Sequence, residues 1–339
     1  MTDKPHFFED APVIPWTTWL WRKLWGAKGV ITLLPNEKLP LEPPALHHPE
    51  FEMHRLNPAH AEEYSIFLNR YYYIPKDIQL NLSIPPDVME KQLREGRWTG
   101  VEVRNKYKNV IIGLVFSLYA GAYNETPMGL ITWLCVKPNF RKQGLTNILL
   151  RSIYALNQPT TIYWWRTDGW LKSPCPPVYT ETRMVRRSKP TTCYANSIHI
   201  VEDTTAFVNN WKKANPDSVI LYSTTENPLL SIYEYRHSAT EYVQVAIQPT
   251  FERENRISDR TYYEIVGWVV SEGLESMSAA MYVEALLDEI HLADWYEAPV
   301  SIPHLDSKGW ELAGKSSWSV LGLDPGTADS LPILALAAA

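Results

Sequence analysis

The 339-residue chain carries only three cysteines, Cys135, Cys175 and Cys193. Their spacing forms neither a paired metal-ligand pattern nor a disulfide framework, which points to a reducing compartment and away from a zinc module. The nine histidines, including adjacent His47 and His48, also lack ligand spacing, so no metal is expected. Gly-x-Ser-x-Gly is missing, and with it the usual sequence sign of a serine hydrolase. A surplus of positive charge is missing too. The formal charge is −6 and the pI about 5.9, whereas gripping a nucleic-acid backbone needs clustered cations. No nucleic acid is expected, and any phosphate site must be local. No apolar run reaches the roughly 20 residues of a membrane-spanning helix. The longest, residues 110–123, is interrupted by glycines and reads as buried strand. Met1 to Pro5 is polar and charged, unlike a secretory leader, and Thr2 stands where a myristoylated chain has glycine. A cytoplasmic location is the expectation.

What the chain does contain is a core. It is 45% hydrophobic and 21% charged, with 14 tryptophans, 19 tyrosines and 26 prolines, and it is long enough for two domains or two lobes. Residues 1–50, rich in proline and aromatics, read as an extended arm laid over a body. Within the arm, residues 16–25 suit a short amphipathic helix with Arg22 and Lys23 on its polar side. Two roles compete for it. A membrane-surface helix would use its tryptophans and basic pair, while an arm helix would pack its aromatics on the body. The second is expected, and exposure decides between them.

From Phe51 the pattern becomes regular. Periodicity predicts helices over residues 59–71 and 88–95, a strand over 98–104, and a hairpin of strands 108–118 and 128–136 around the turn residues Asn124-Glu-Thr-Pro127. A glycine-containing loop, a helix over 147–156 and a strand through residues 163–165 follow. The second half repeats the rhythm: strands at 219–222, 241–248 and 262–270, a helix over 276–291, then strands near Val300 and Ser319. The two halves share no sequence repeat, but the similar element order predicts an α/β fold. In it, two lobes of related architecture share a long mixed, largely antiparallel sheet flanked by helices. The expected division is an arm over 1–50, an N-terminal lobe over 51–194 and a C-terminal lobe over 195–339.

Arg141-Lys-Gln-Gly-Leu-Thr146 sits where a strand ends and a helix begins. There, unpaired backbone N–H groups and the helix dipole together favour an anion. Gly144 permits close approach of the backbone, and Arg141 and Lys142 add charge. The loop resembles the Arg/Gln-x-x-Gly-x-Gly/Ala loop with which acetyltransferase-superfamily proteins hold the pyrophosphate of coenzyme A. Taken alone, a plain basic turn before a helix is an equal reading.

Further segments add context. The strand Ile131-Thr-Trp-Leu-Cys-Val136 resembles the Ile-Asn-Phe-Leu-Cys-Val strand that precedes the coenzyme A loop of N-myristoyltransferases. Arg166-Thr-Asp-Gly169 resembles that family's Tyr-Thr-Ala-Gly, and Arg183-Met-Val-Arg-Arg-Ser188 with Pro190 resembles its Arg-Tyr-Trp-His-Arg-Ser and Asn-Pro. Phe7-Phe8 with Pro12-Val13 is similar to the arm that covers the coenzyme, and Ile78-Gln-Leu-Asn-Leu-Ser83 to Phe-Arg-Phe-Asp-Tyr-Ser. The resemblance covers about residues 5 to 190 directly and the rest by element order, down to a closing segment at Ala328-Asp-Ser-Leu-Pro-Ile-Leu-Ala-Leu336.

This resemblance implies an acyl-CoA N-acyltransferase with a GNAT-like fold. Its acyl donor would be myristoyl-CoA, its acceptor the N-terminal glycine of protein substrates, and its state a monomer. By resemblance, coenzyme contacts fall to Phe7, Phe8, Trp133, Leu134, Cys135, Val136, Arg141, Lys142, Gln143, Gly144, Leu145 and Thr146. The backbone amides of Trp133 and Leu134 become the oxyanion donors, at a place where the strand splays or bulges. Thr167 assists a base that family members take from their own terminal carboxylate, here Leu336, or Ala339 if the last three alanines are native. Asp168 is another candidate base. Tyr71-Tyr-Tyr-Ile-Pro-Lys-Asp77 replaces the family's acidic run, so electrostatic steering of basic peptides is weakened. Arg186 and Thr132 replace the family's His and Asn. An acetyltransferase acting on protein termini or small amines, and a noncatalytic acyl-CoA or peptide binder, are the alternatives.

Overall fold

A computed structural model of the chain describes residues 16–25, 32–34, 42–46, 48–72, 80–157, 162–168, 177–189, 198–215, 219–221, 229–254, 261–290, 292–299, 309–324 and 333–335. The chain forms two compact units. One holds Met1–Thr167, Lys172–Val178 and Trp318–Ser330, and the other Asp168–Leu171, Tyr179–Ser317 and Leu331–Ala339.

The first unit opens with helix α1 (Trp16–Trp25), strand β1 (Thr32–Leu33) and strand β2 (Phe51–Arg55). The Asn57 side chain accepts the Ala59 N–H at 3.0 Å, a single 3-10 turn covers Pro58–His60, and α2 follows over Ala61–Tyr71. After β3 (Leu80–Leu82), α3 (Pro86–Arg94) starts on a proline, whose missing N–H is no loss there and whose φ is already helical. Then come β4 (Trp98–Asn105), β5 (Val110–Tyr123), β6 (Thr126–Val136), α4 (Leu145–Leu156) and β7 (Ile162–Asp168). The strands lie in the order β2-β4-β5-β6-β7. Neighbours are antiparallel except β6 and β7, which α4 connects as a crossover and which therefore run parallel.

Central strand β5 is buried from Ile111 to Leu118, as its near-continuous apolar run requires for a strand covered on both faces. On one face, Leu145, Ile148, Leu149 and Ile153 of α4 pack with Val101, Val103, Ile112 and Val115. Their spacing of three and four residues forms one helical stripe. On the other face, Tyr64 of α2 and Trp98 of β4 meet Phe116 edge-on. Gly100 marks how close these layers come, because a Cβ there would lie 2.2 Å from the Val115 carbonyl oxygen and 2.6 Å from Leu56 Cδ1. Gly100→Ala is therefore expected to lower the unfolding free energy by about 1–3 kcal/mol, read as a lower urea midpoint at unchanged m-value.

Most of the second unit follows along the chain: β8 (Tyr179–Arg187), β9 (Ile198–Ile200), α5 (Thr204–Ala214), β10 (Val219–Leu221), β11 (Ser231–Arg236), β12 (Tyr242–Glu254), β13 (Thr261–Val270), α6 (Ser276–Ile290) and β14 (Trp295–Pro299). Strand β15 (Trp310–Leu321) belongs to this unit as far as Ser317 and to the first from Trp318. Strand β16 (Leu323–Asp324) pairs with β1, and β17 (Ile333–Ala335) pairs parallel with β10. The order here is β15-β8-β14-β13-β12-β11-β9. Its core joins Val283, Leu286 and Leu287 of α6 to Val243, Val245, Ile247 and Ile265.

The succession β11-β12-β13-α6-β14, an antiparallel meander, a crossover helix and a parallel strand, repeats β4-β5-β6-α4-β7. The related architecture anticipated from element order is thus present, each unit being a mixed sheet flanked by helices. One expectation is overturned. The apolar side chains of α1 were expected to pack on the body, yet Trp16, Leu20, Trp21 and Leu24 are 48%, 50%, 61% and 67% exposed. Those four positions form one side of the helix, and that side faces water instead of the core.

Candidate functional site

The site begins with an irregularity in β6. Leu114 of β5 faces Cys135 and Phe116 faces Thr132, so Val115 stands opposite two residues, Trp133 and Leu134. This is a β-bulge, and Trp133 takes a φ of +47° within it, in the left-handed region that bulky residues rarely enter. The packing follows from it. Ile131 and Leu134, three residues apart, both pack toward α4. Trp133 turns to the opposite face and meets Trp98 at 4.8 Å and Phe116 at 5.2 Å between ring centroids. A left-handed residue costs about 1–2 kcal/mol, less than the roughly 3–5 kcal/mol a buried tryptophan side chain contributes. The bulge is therefore held by its own aromatic anchor. With one residue more on β6 than on β5, the N–H groups of Trp133 and Leu134 cannot both keep the regular ladder.

On its other edge β6 parts from β7. Their parallel ladder covers Met128–Leu130 against Ile162–Trp164, and among the described residues no pair follows, although β6 continues to Val136 and β7 to Asp168. Trp133 and Thr167 each stand three residues past the last pair, Leu130 and Trp164, so the register sets them on either side of the opening. Trp164 is fully buried, and its indole N–H meets no acceptor among the described residues. An orphaned donor of this kind costs about 1–3 kcal/mol unless a bound group accepts from it.

Beyond Val136 the chain makes a 3-10 turn over Pro138–Phe140 and then a loop in which Lys142 and Gly144, at φ +64° and +80°, are both left-handed. Alternation of this sort gathers successive N–H groups into an anion-binding concavity. Helix α4 starts at Leu145 with no side-chain cap, and its first turn faces solvent at Thr146. Its leading N–H groups have no i−4 carbonyl, which makes the terminus suitable for a phosphate. Arg141 also makes contacts within the protein. Its Nε donates to the Val136 carbonyl at 2.9 Å and its Nη2 to the Tyr71 carbonyl at 3.1 Å, while Lys137 lies 5.4 Å over the Tyr71 ring. Two of its donors thus shape the loop, and backbone N–H groups and the exposed Lys142 lie beside them, chemically able to meet an anion. Tyr71, the first residue of the stretch that replaces the family's acidic run in the resemblance, thus meets the loop through its carbonyl and its ring.

Cys135 is buried in β6, and burial, partly opposed by Arg141, pushes its thiol up to about 12. A neutral thiol is a poor nucleophile. In the second unit burial likewise pushes Tyr296 up to about 12. The unfolded chain ionises these groups near about 8.5 and about 10. Below those values both states hold the protons, and above them only the folded state does. Stability is therefore expected to be full below about pH 8.5 and to fall as pH rises toward 12, a loss that Cys135→Val should reduce in urea titrations at increasing pH.

The corresponding place in the second unit has different chemistry. There the crossover segment before α6 is Ser271-Glu-Gly-Leu-Glu275, acidic where the first unit has Lys137, Arg141 and Lys142. Repulsion of phosphate leaves one of the two loops fit for a pyrophosphate. Arg186 is buried and paired with Asp288 at 2.7 Å. Among the described residues no group of three or more His, Cys, Asp or Glu is arranged to hold a metal. Trp133, Leu134, Cys135, Val136, Arg141, Lys142, Gln143, Gly144, Leu145, Thr146 and Thr167 all lie along β6, its loop, the start of α4 and β7. Phe7, Phe8, Leu336 and Ala339 lie outside the described residues.

Among solved structures, the chain is similar to N-myristoyltransferase of Saccharomyces cerevisiae. A crystal structure of that protein with bound myristoyl-CoA and inhibitors matches with a TM-score of 0.71 at 12% identity, over 97% of this chain and 92% of that one. Another, with bound myristoyl-CoA, matches with a TM-score of 0.67 at 13% identity, over 98% and 94%. No protein-family model and no curated protein matches the sequence. The chain has an N-myristoyltransferase-like fold.

Proposed function

We propose that the chain is an acyl-CoA N-acyltransferase that moves a fatty acyl group, myristoyl in the first instance, from coenzyme A to the N-terminal glycine amine of a protein. The observation that carries this reading is the Trp133–Leu134 bulge, at the opening between β6 and β7 and one short loop before the uncapped start of α4. Such a layout suits a thioester whose carbonyl meets the bulge and whose pyrophosphate meets Lys142, Gly144 and the first turn of α4. The solved N-myristoyltransferase structures with myristoyl-CoA support the donor class.

In the proposed reaction the neutral amine attacks the thioester carbonyl carbon, and the oxygen takes up the negative charge. N–H groups of Trp133 and Leu134 stabilise that oxyanion. Collapse breaks the carbon–sulfur bond, and the thiolate leaves as the thiol with the proton lost by the amine. An α-amino group, with a reference pKa of about 7.7 to 8.0, must shed a proton before it attacks. Thr167, across the opening, is positioned to orient it, and a terminal carboxylate is the proposed base.

A shorter acyl group is the second reading. Trp98, Phe116 and Trp133 fill the face behind the bulge, and aromatic bulk there limits room for a long chain. The test incubates chains ending at Leu336 or at Ala339 with myristoyl-CoA or acetyl-CoA and N-terminal glycine peptides, with products read by mass. Tetradecanoylated glycine is the expected product, and the better chain identifies the carboxylate. Acetyl transfer alone would shift the reading to an acetyltransferase. Binding of both donors without transfer by either chain would leave a noncatalytic binder.

A further inference from the structure

We propose that α1 is an interfacial anchor that lays its Trp16, Leu20, Trp21 and Leu24 side chains into the headgroup region of an anionic lipid bilayer. At 100° per residue, positions 16, 20, 21 and 24 fall within an arc of about 140° on one side of the helix. All four are exposed, so this arc is turned to solvent rather than into the core. A row of two tryptophans and two leucines in water is the sort of surface that soluble chains keep small unless something covers it. Tryptophan suits the water–lipid boundary in particular, since its ring is apolar and its N–H still finds a polar partner.

Charge selects the occupant. The chain carries a net −6, yet Trp16–Trp25 contains Arg22 and Lys23 and no acidic residue. A basic, tryptophan-rich segment on an acidic protein complements anionic headgroups, with about 1 kcal/mol available per basic residue near such a surface. A second copy of the chain is a poorer occupant, because two-fold pairing of α1 would bring the two basic pairs together. Ten residues are too few to span a bilayer, and among the described residues no helix is long and apolar enough to cross one. The helix therefore lies along the surface, and a single such helix gives weak, reversible attachment. This inference is independent of the acyl-transfer reading.

The full chain is to be floated with phosphatidylcholine vesicles with and without phosphatidylserine. Binding is expected to the phosphatidylserine vesicles and to weaken with salt. Exchanging Trp21 and Leu24 for aspartate (W21D, L24D) is expected to lower the partition coefficient about 100-fold. Removing the basic pair (R22S, K23S) is expected to lower it about 30-fold on the anionic vesicles and little on the neutral ones. Trp21 and Leu24 are exposed, so unchanged thermal unfolding serves as the folding control. The proposal is overturned if the wild-type chain ignores phosphatidylserine vesicles, or if the aspartate variant binds as well as wild type. It is also overturned if light scattering shows a dimer that the aspartates dissolve while vesicles recruit nothing, since the row would then serve a second copy.

Discussion

Leu134→Pro is expected to reduce acyl transfer about 100- to 1000-fold, because proline removes one of the two backbone donors proposed for the oxyanion. Leu134, unlike Trp133, is not left-handed, so proline is placed where its fixed φ is least in conflict with the bulge. The comparison that isolates the amide is Leu134→Ala, which keeps the N–H and loses packing toward α4. The alanine variant should lose stability, on the order of 2 kcal/mol for a partly buried leucine, but retain transfer per folded molecule. Acyl-CoA affinity should survive in both, since the loop and the start of α4 are untouched. Equal losses of turnover in the two variants would show that the side chain matters and the amide does not. Full activity in the proline variant would remove Leu134 from the mechanism.

That prediction rests on a feature only half legible in the sequence. The strand Ile131-Thr-Trp-Leu-Cys-Val136 was readable as a strand and resembles a family segment, but nothing in its composition announces a bulge at Trp133. Left-handed tryptophan contradicts local preference, and it is held in place by Trp98 and Phe116, which are distant in sequence. The loop was the reverse case. Gly144 and the basic pair suit an anion site or, equally, a plain basic turn on spacing alone, whereas the use of Arg141 to clamp Val136 and Tyr71 depends on an approach of α2 that no local pattern encodes.

Elements with strong periodicity lie close to their expected bounds: α1, α2, α4, α6 and the strands β4, β6, β7 and β13, while β5 and β12 run on past their expected ends to Tyr123 and Glu254. Helix α5 was not anticipated. Only Phe207 and Trp211 of it are buried, and two threonines and two asparagines dilute the pattern, so its clearest signal is the Asp203 side chain accepting the Ala206 N–H at 3.0 Å. The arm shows a different limit. Amphipathicity marks which side chains seek an apolar partner, and burial in the protein and burial in lipid satisfy that demand equally. Periodicity cannot tell them apart, and the exposure of Trp16 and Trp21 favours the second.

Arg183 was singled out only through a resemblance, and its surroundings give it a physical task in the second unit. The residue is 4% exposed, and its guanidinium pairs with Glu297 at 2.8 Å, Glu181 at 2.9 Å and Glu264 at 2.6 Å. Burial works against the charge, but the three carboxylates outweigh it and hold the arginine well above its usual range. Ser316 and Gln248 add hydrogen bonds to Glu181 and Glu264. Arg183→Met fills similar space but leaves three carboxylates with no cation, at a cost of about 3–5 kcal/mol. Arg183→Lys keeps the charge but not the fork that reaches three partners, so its loss should be smaller yet clear. Adding Glu264→Gln to Arg183→Met should restore part of the stability, with a coupling of about 0.5–3 kcal/mol between the sites. Chemical denaturation of wild type, Arg183→Met, Glu264→Gln and the double variant completes the cycle. If Arg183→Met costs less than about 1 kcal/mol, as an exposed pair would, the cluster is not what orders this part of the sheet. The expected large loss would make the Arg183 strand a structural fixture of the second unit, separate from the chemistry proposed at β6.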